Sequence, residues 1–404
     1  MKRDRSPVRL GVFVTHPIQY QVPLWRELAT SPHLDLTVHY FSDQGVAQKI
    51  DPGFGKAFTW DVPLLDGYRH RFLSRRPIEK AAWFRIAGPD SFFTESRFDV
   101  VLVHGYTHWF TLQLLAGAKQ YGFKVILRGE FSERRAGRPF WKRMCRDAYL
   151  RWLYQRVHHF CPIGTEAIRH LERYGIPQEK MTVTPYSVDD RLLARQRAQF
   201  DRIECRKRLG IGDDQVVFLF SGKMIERKQP LLLSQAALRL KRDSRLAVIF
   251  LGDGEQFVAV CNLLRPALGE RFIAPGFVNQ SELGRYFCAA DVFVLPSRFD
   301  TWGLVVNEAM HFGLPCIVSD RVGSCRDLII PNETGLVFPS GDAGRLAEAM
   351  QFFLDEPKRA RIMGEAASRH IEGYTTERAA AGIREAVFNV TGACRVGSLG
   401  QSVA

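Results

Sequence analysis

The sequence predicts an α/β protein built from two doubly wound domains, each a parallel sheet with helices on both faces. Three observations carry that expectation. At 404 residues and 46% hydrophobic content, the chain has length for two or three domains and apolar material for two cores. Short apolar runs alternate with longer amphipathic ones along its whole length, the pattern of buried parallel strands joined by helical crossovers. A polar stretch with little apolar periodicity, 189–208 (DDRLLARQRAQFDRIECRKR), divides the runs into two series.

In the first series, strands are expected at 10–15, 34–40, 100–103, 124–127, 159–162 and 182–184. In the second they are expected at 216–221, 247–251, 292–295 and 316–318. Helical periodicity is clear at 230–241 and 304–311. The expected division is a first domain over 1–200, a second over 201–374, and a last segment over 375–404. That last segment reads as a helix packing back on the first domain, followed by a frayed tail.

Charge and cysteine content narrow the function classes. The net charge of +13 favours anionic partners such as nucleotide phosphates, anionic lipid or nucleic acid. The eight cysteines show no metal-ligand spacing and read as reduced, mostly buried groups of a cytoplasmic protein. The apolar run at 10–14 is too short for a secretory core, and no run approaches a membrane span. Part of the charge is concentrated at 133–156, where Arg and Lys interleave with Trp, Phe, Tyr, Met and Leu. Two readings stand there. The stretch is a surface helix docking peripherally on an anionic membrane, or a solvated basic face over a buried aromatic stripe. No recognisable nucleic-acid module accompanies it, so no specific nucleic acid is expected.

The densest chemistry lies at 276–342, beginning GFVNQSELGRYFCAADVFVLPSRFDTWGLVVNEAMHFGLPCIVSD. Residues 292–295 read as a buried strand stopped by Pro296, with a helix starting near Gly303. Gly303 permits close backbone approach, and the N–H groups of Gly303, Leu304 and Val305 form an anion site at the helix start. Asp300 precedes that site and Glu308 follows it. A carboxylate on each side of an anion pocket suits a ligand with phosphate in the middle and hydroxyl-rich rings at both ends, as in a nucleotide sugar.

This segment resembles the donor-binding signature of glycosyltransferase family 4 (glycosyl transferases group 1), through Pro296, Ser297, Gly303, Leu304, Glu308, Ala309, Gly313 and Pro315. The resemblance implies the GT-B fold, two Rossmann-like doubly wound domains facing across a cleft. It implies that Glu308 holds the ribose hydroxyls and Asp300, where relatives usually carry Glu, the sugar hydroxyls. Upstream, FLFSGKMIERKQPLL at 218–232 resembles the family's diphosphate clasp, with Lys223 and Lys228 as its cations and Arg227 as a substitute partner. Gly276–Val278 resembles the segment along the nucleobase; Gly222, Val278 and Trp302 complete the implied donor set with Arg128.

In the first domain, His16, His104, Arg128 and Glu130 sit at carboxyl ends of expected strands, where ligands bind in open α/β sheets. His16 reaches the cleft or is a satisfied structural histidine. Glu130 stands where relatives often carry a His near the transferred sugar, and Arg128 reads equally as its ion-pair partner. The implied catalytic set is Asp300, Glu130, His104 and His16. The implied reaction is retaining transfer of a hexose-type sugar from a UDP- or GDP-sugar to a glycan or lipid-linked acceptor, in cell-surface polysaccharide or glycoconjugate synthesis, with no metal or other cofactor. The rivals are a sugar-nucleotide epimerase on the same fold and a basic nucleic-acid- or lipid-binding protein.

Overall fold

The computed structural model describes residues 6–47, 49–51, 56–131 and 140–392. The chain folds into two compact units. The first comprises 1–47, 64–186 and 376–404; the second comprises 48–63 and 187–375.

The first unit holds a six-stranded parallel sheet of β1 (Val8–Val14), β2 (Leu34–Tyr40), β3 (His70–Phe72), β4 (Val100–His104), β5 (Lys124–Gly129) and β6 (His159–Pro162). Their order across the sheet is β3-β2-β1-β4-β5-β6. Val12, Phe13, Val100–Val103, Val125 and Ile126 are fully buried, which is why these runs read as unbroken apolar strands. The C-terminal helix Thr376–Thr391 belongs to this unit and packs on the helix Val22–Ala29. Its Ala379, Ala380, Ile383, Ala386 and Val387 are buried. An added Cβ at Gly382 would stand 2.6 Å from the Val183 carbonyl oxygen, so the close helix approach requires glycine there.

The second unit repeats the arrangement with β7 (Val216–Ser221), β8 (Leu246–Leu251), β9 (Phe272–Gly276), β10 (Val292–Leu295), β11 (Cys316–Ser319) and β12 (Gly335–Phe338). The order is β9-β8-β7-β10-β11-β12, all parallel. Both sheets therefore have the Rossmann strand order, whose direction reverses between the first and fourth strands; ligands bind beyond the carboxyl ends of the strands at that switch.

One local expectation differs from the structure, and the polar stretch has a structure that its sequence left open. Residues 182–184 form no strand: Met181 makes a lone bridge to Phe160, and Val183 is exposed. The polar stretch 189–208 is two helices, Asp190–Gln199 and Arg202–Arg208, capped by the carboxylates of Asp189 and Asp201. They bury only Leu193 and Gln196, and Cys205 and Arg206, too little apolar surface to leave a periodic signal. The cysteines in the described residues are free thiols; Cys394 lies outside them.

Candidate functional site

In the second unit, the switch lies between β7 and β10, and the donor residues expected from sequence, Arg128 apart, lie in this unit. β7 runs into Gly222, whose N–H donates to the Leu251 carbonyl at 2.9 Å. β8 runs into Gly252, whose N–H donates to the Gly276 carbonyl at 2.9 Å. A Cβ on Gly252 would lie 1.9 Å from the Gly222 carbonyl oxygen, so glycine is obligatory where the two turns touch. An added Cβ at Gly222 would meet nothing within 4 Å, leaving that turn open to an approaching ligand. Lys223 follows, half-buried, and a short 3-10 turn Glu226–Lys228 carries Arg227 and Lys228.

Beyond β10, the loop 298–303 is braced on both sides. The Arg298 N–H donates to the Arg227 carbonyl, the Asp300 N–H to the Arg321 carbonyl, and the Gly323 N–H to the Asp300 carbonyl. Trp302 is buried, and its indole N–H donates to Asn307 Oδ1 at 2.9 Å. Gly303, with φ +89°, starts the helix Leu304–His311, whose opening N–H groups have no partner within the helix itself. Glu308 is buried at 3% exposure on that helix.

Lys228 and Asp300, assigned to different parts of a ligand, are bonded directly to one another: the ammonium donates to Asp300 Oδ2. Arg227 stands 3.8 Å from the other carboxylate oxygen and donates to the Phe299 carbonyl. The sequence reading missed residues 59–61. Asn279 Nδ2 donates to the Thr59 carbonyl, Asp61 accepts from the Ser281 hydroxyl, and the Trp60 ring lies 6.3 Å from that of Phe277, next to Val278. Partners 220 residues away leave no local signal.

In the first unit, His16, His104 and Glu130 follow or end β1, β4 and β5, three adjacent strands, so the topology brings them to one edge. The His16 Nδ1 lies 2.9 Å from the Thr15 hydroxyl. Tyr186, which the sequence reading left unassigned, links two of the others. Its hydroxyl donates to Glu130 Oε1 at 2.9 Å and lies 3.1 Å from His104 Nε2. With that proton given to Glu130, His104 must donate from Nε2, which leaves its Nδ1 a bare acceptor, buried without a partner. Burial, then the neighbouring Arg128 charge, brings the His104 pKa down to about 3, so the ring is neutral. Burial and the Glu130 charge raise the Tyr186 pKa far above its ordinary value. Arg128 is 1% exposed; its guanidinium donates to the Thr184 hydroxyl and the Thr184 and Pro185 carbonyls and lies 5.1 Å from the Tyr186 ring centre. That placement makes it a clasp on 184–186, with little surface left for the ligand contact assigned to it above.

Family models and known proteins match most of the chain. Residues 201–370 match the family model described as glycosyl transferases group 1, and residues 20–187 match the one described as glycosyl transferase 4-like domain. The chain is 30% identical over 353 residues to a D-inositol 3-phosphate glycosyltransferase of Kineococcus radiotolerans, covering 82% of this chain and 75% of that one. A relative of the same name from Geodermatophilus obscurus is 32% identical, over 53% of this chain and 48% of its own length. Several further relatives are likewise spanned over about half their length. Among solved structures, sucrose-phosphate synthase from Thermosynechococcus elongatus superposes with a TM-score of 0.71 at 18% identity, covering 94% of this chain and 98% of that one. The Anabaena protein Alr3699/HepE in complex with UDP superposes at 0.68 with 14% identity, over 94% and 98%. The chain has the GT-B fold and belongs to glycosyltransferase family 4.

Proposed function

We propose that this glycosyltransferase is retaining and moves a hexose-type sugar from a UDP- or GDP-sugar to a glycan or lipid-linked acceptor. The observation that carries the reading is the open edge of the second sheet, where an unobstructed glycine turn, Lys228 and a helix start surround the switch point. Anions bind such edges through backbone N–H groups and cations together. Lys223, Lys228 and the amides of Gly303, Leu304 and Val305 hold the diphosphate; Glu308 holds the ribose and Asp300 the sugar; Gly222, Val278 and Trp302 shape the pocket. The leaving diphosphate takes the proton of the attacking hydroxyl on the same face, and these groups stabilise its growing charge. His16, His104 and Glu130 serve the acceptor side. The reading calls on no metal.

A thermal-shift panel with UDP, GDP and ADP tests it, because a ligand of the native state raises its stability. One of the first two stabilises the wild type, and Glu308→Ala abolishes the shift. A shift that survives in Glu308→Ala removes the ribose assignment. Donor incubated alone and followed by NMR separates transfer from epimerisation: an isomerised nucleotide sugar favours the epimerase.

We further propose a cytoplasmic enzyme resting peripherally on an anionic membrane; the surface of the first unit supports the membrane contact. Residues 133–139 of the basic stretch lie outside the described residues. The helix Phe140–Tyr154 buries Leu150, Leu153 and Tyr154. It leaves Phe140 (73%), Trp141 (62%), Met144 and Trp152 exposed beside Lys142, Arg143 and Arg151. Exposed aromatics interleaved with cations favour docking over the buried-stripe alternative. Trp83 and Trp109 are also exposed. Among the described residues, no helix is long and apolar enough to cross a membrane. The full chain is expected to cosediment with phosphatidylglycerol-containing vesicles but not with pure phosphatidylcholine, and the W141A/W152A variant to lose at least about tenfold in binding. Equal recovery with both vesicle types would remove the anionic-surface reading.

A further inference from the structure

The second unit holds a contact that a donor pocket of fixed parts does not need. Lys228 ends the turn after β7, Asp300 lies in the loop after β10, and their side chains bond across the switch point. Both are nearly enclosed, with side-chain exposures of 13% and 9%. While the bond stands, Lys228 Nζ is committed to a carboxylate and Asp300 Oδ2 is committed to an ammonium. A diphosphate can use that lysine fully only by drawing it off Asp300. A sugar hydroxyl can use that oxygen only once the lysine has left.

We infer that Lys228 exchanges anions: it neutralises Asp300 in the empty site and passes to the diphosphate when a donor binds, so that Asp300 is released to the sugar only in the presence of a diphosphate. This rests on the donor-site reading above. Three features of the site suit such an exchange. Lysine is a compact point charge on a flexible stem, able to swing between two anions without satisfying a planar fork. Arg227 already stands 3.8 Å from Asp300 Oδ1, so the carboxylate keeps a cation nearby when the lysine departs. The Asp300 backbone is pinned through its own N–H and carbonyl to Arg321 and Gly323, so the exchange needs only side-chain motion. Asp300 therefore acts as an internal competitor of the diphosphate. Its presence weakens binding of a bare nucleoside diphosphate, and a complete nucleotide sugar recovers that cost through the sugar contact. The device would favour intact donor over spent nucleotide.

Isothermal titration of UDP and GDP into the full chain tests the exchange. The nucleotide that binds wild type is expected to bind Asp300→Asn about five- to tenfold more tightly, the reverse of what loss of an ordinary binding residue gives. Asp300→Glu, which keeps the competing charge, is expected to stay within about twofold of wild type. In a Lys228→Ala background the gain from Asp300→Asn is expected to fall below about twofold, because the two anions no longer compete for one lysine. Unchanged or weaker binding by a folded Asp300→Asn protein overturns the exchange. So does an equal gain with and without Lys228, which would mark plain repulsion. Asp300→Ser replaces Asp300→Asn if the latter fails to fold by circular dichroism. Failure of wild type to bind either nucleotide is a different result: it removes the donor-site reading, and the exchange with it.

Discussion

The two units have the same strand order, yet their sheet edges are finished differently. In the second unit, β7, β8 and β9 run into or end at Gly222, Gly252 and Gly276, so backbone and a few cations face the switch point. In the first, β1, β4 and β5 lead to His16, His104 and Glu130, and Tyr186 and Arg128 fill the space around them. One edge presents backbone and lysines, as the donor site proposed above calls for. The other carries the buried, neutral His104, a tyrosine hydroxyl and a carboxylate beside the enclosed Arg128. The shared topology puts both sites where the sheet reverses, and the residues after the strands decide what each can hold.

Acid is expected to separate the halves most. Burial lowers the pKa of His39, His104, His108 and His170, all in the first unit, to about 4, 3, 4 and 4. In the second unit only His311 is clearly lowered among the described residues, by burial first. A histidine whose folded pKa lies below its unfolded value contributes stability that is complete above about pH 6.5. That contribution is lost as the pH falls toward the folded pKa, because the unfolded chain binds the proton first. Each such histidine erodes stability by up to about 1.4 kcal/mol per pH unit in that window. Pulse-labelled hydrogen exchange after incubation at pH 4.5 is expected to show β1–β6 losing protection while β7–β12 keep theirs. Simultaneous loss would mean the buried histidines do not set acid stability.

Glycine substitution gives the next largest effect and tests the glycine-built edge. In Gly252→Ala, a methyl group is forced to 1.9 Å from the Gly222 carbonyl oxygen at a φ of +129°, and about 3 kcal/mol of destabilisation is expected. A glycine change after a strand of the first unit, Gly105→Ala, meets only the His108 side chain at 3.5 Å and carries the strain of a positive φ, about 1 kcal/mol. Urea unfolding of both variants checks the contrast. Equal costs would show that the glycines of the second edge are not held by close approach.

What the sequence shows and what it hides divide along the same physical line. Interior strands such as β1, β4, β7 and β10 are buried on both faces and read directly as apolar runs. β3 and β9 escaped notice because each is a sheet edge, partly exposed and carrying residues such as Arg71 and Pro275 that break the run; β12, also an edge, is four residues long and begins at Gly335. The residues proposed for the donor could be picked out because Gly303, Leu304 and Glu308 fall within one short stretch at a helix start. Pairings could not: Lys228 and Asp300 are 72 residues apart, and Tyr186 and Glu130 are 56 apart. Arg128 reads from sequence as a donor contact or an ion-pair partner of Glu130, and nothing in its neighbourhood in sequence announces the Thr184 and Pro185 groups that its guanidinium bonds.

The smallest effect tests whether the closed edge is a working unit of its own. Tyr186→Phe keeps the ring over Arg128 and removes one hydroxyl, which accepts from His104 and donates to Glu130. The partly buried Glu130 and His104 Nε2–H each lose a partner, which costs about 1–2 kcal/mol. The imidazole also loses the bond that fixes its tautomer, so nitrogen-15 shifts of His104 should move from a pure Nε2–H form to a mixture. Because the groups proposed to hold the diphosphate all lie in the second unit, UDP or GDP affinity should stay within about twofold of wild type. A tenfold loss of nucleotide affinity from this single oxygen would show that the two edges do not act separately, and that the histidine, tyrosine and glutamate belong to donor binding as well.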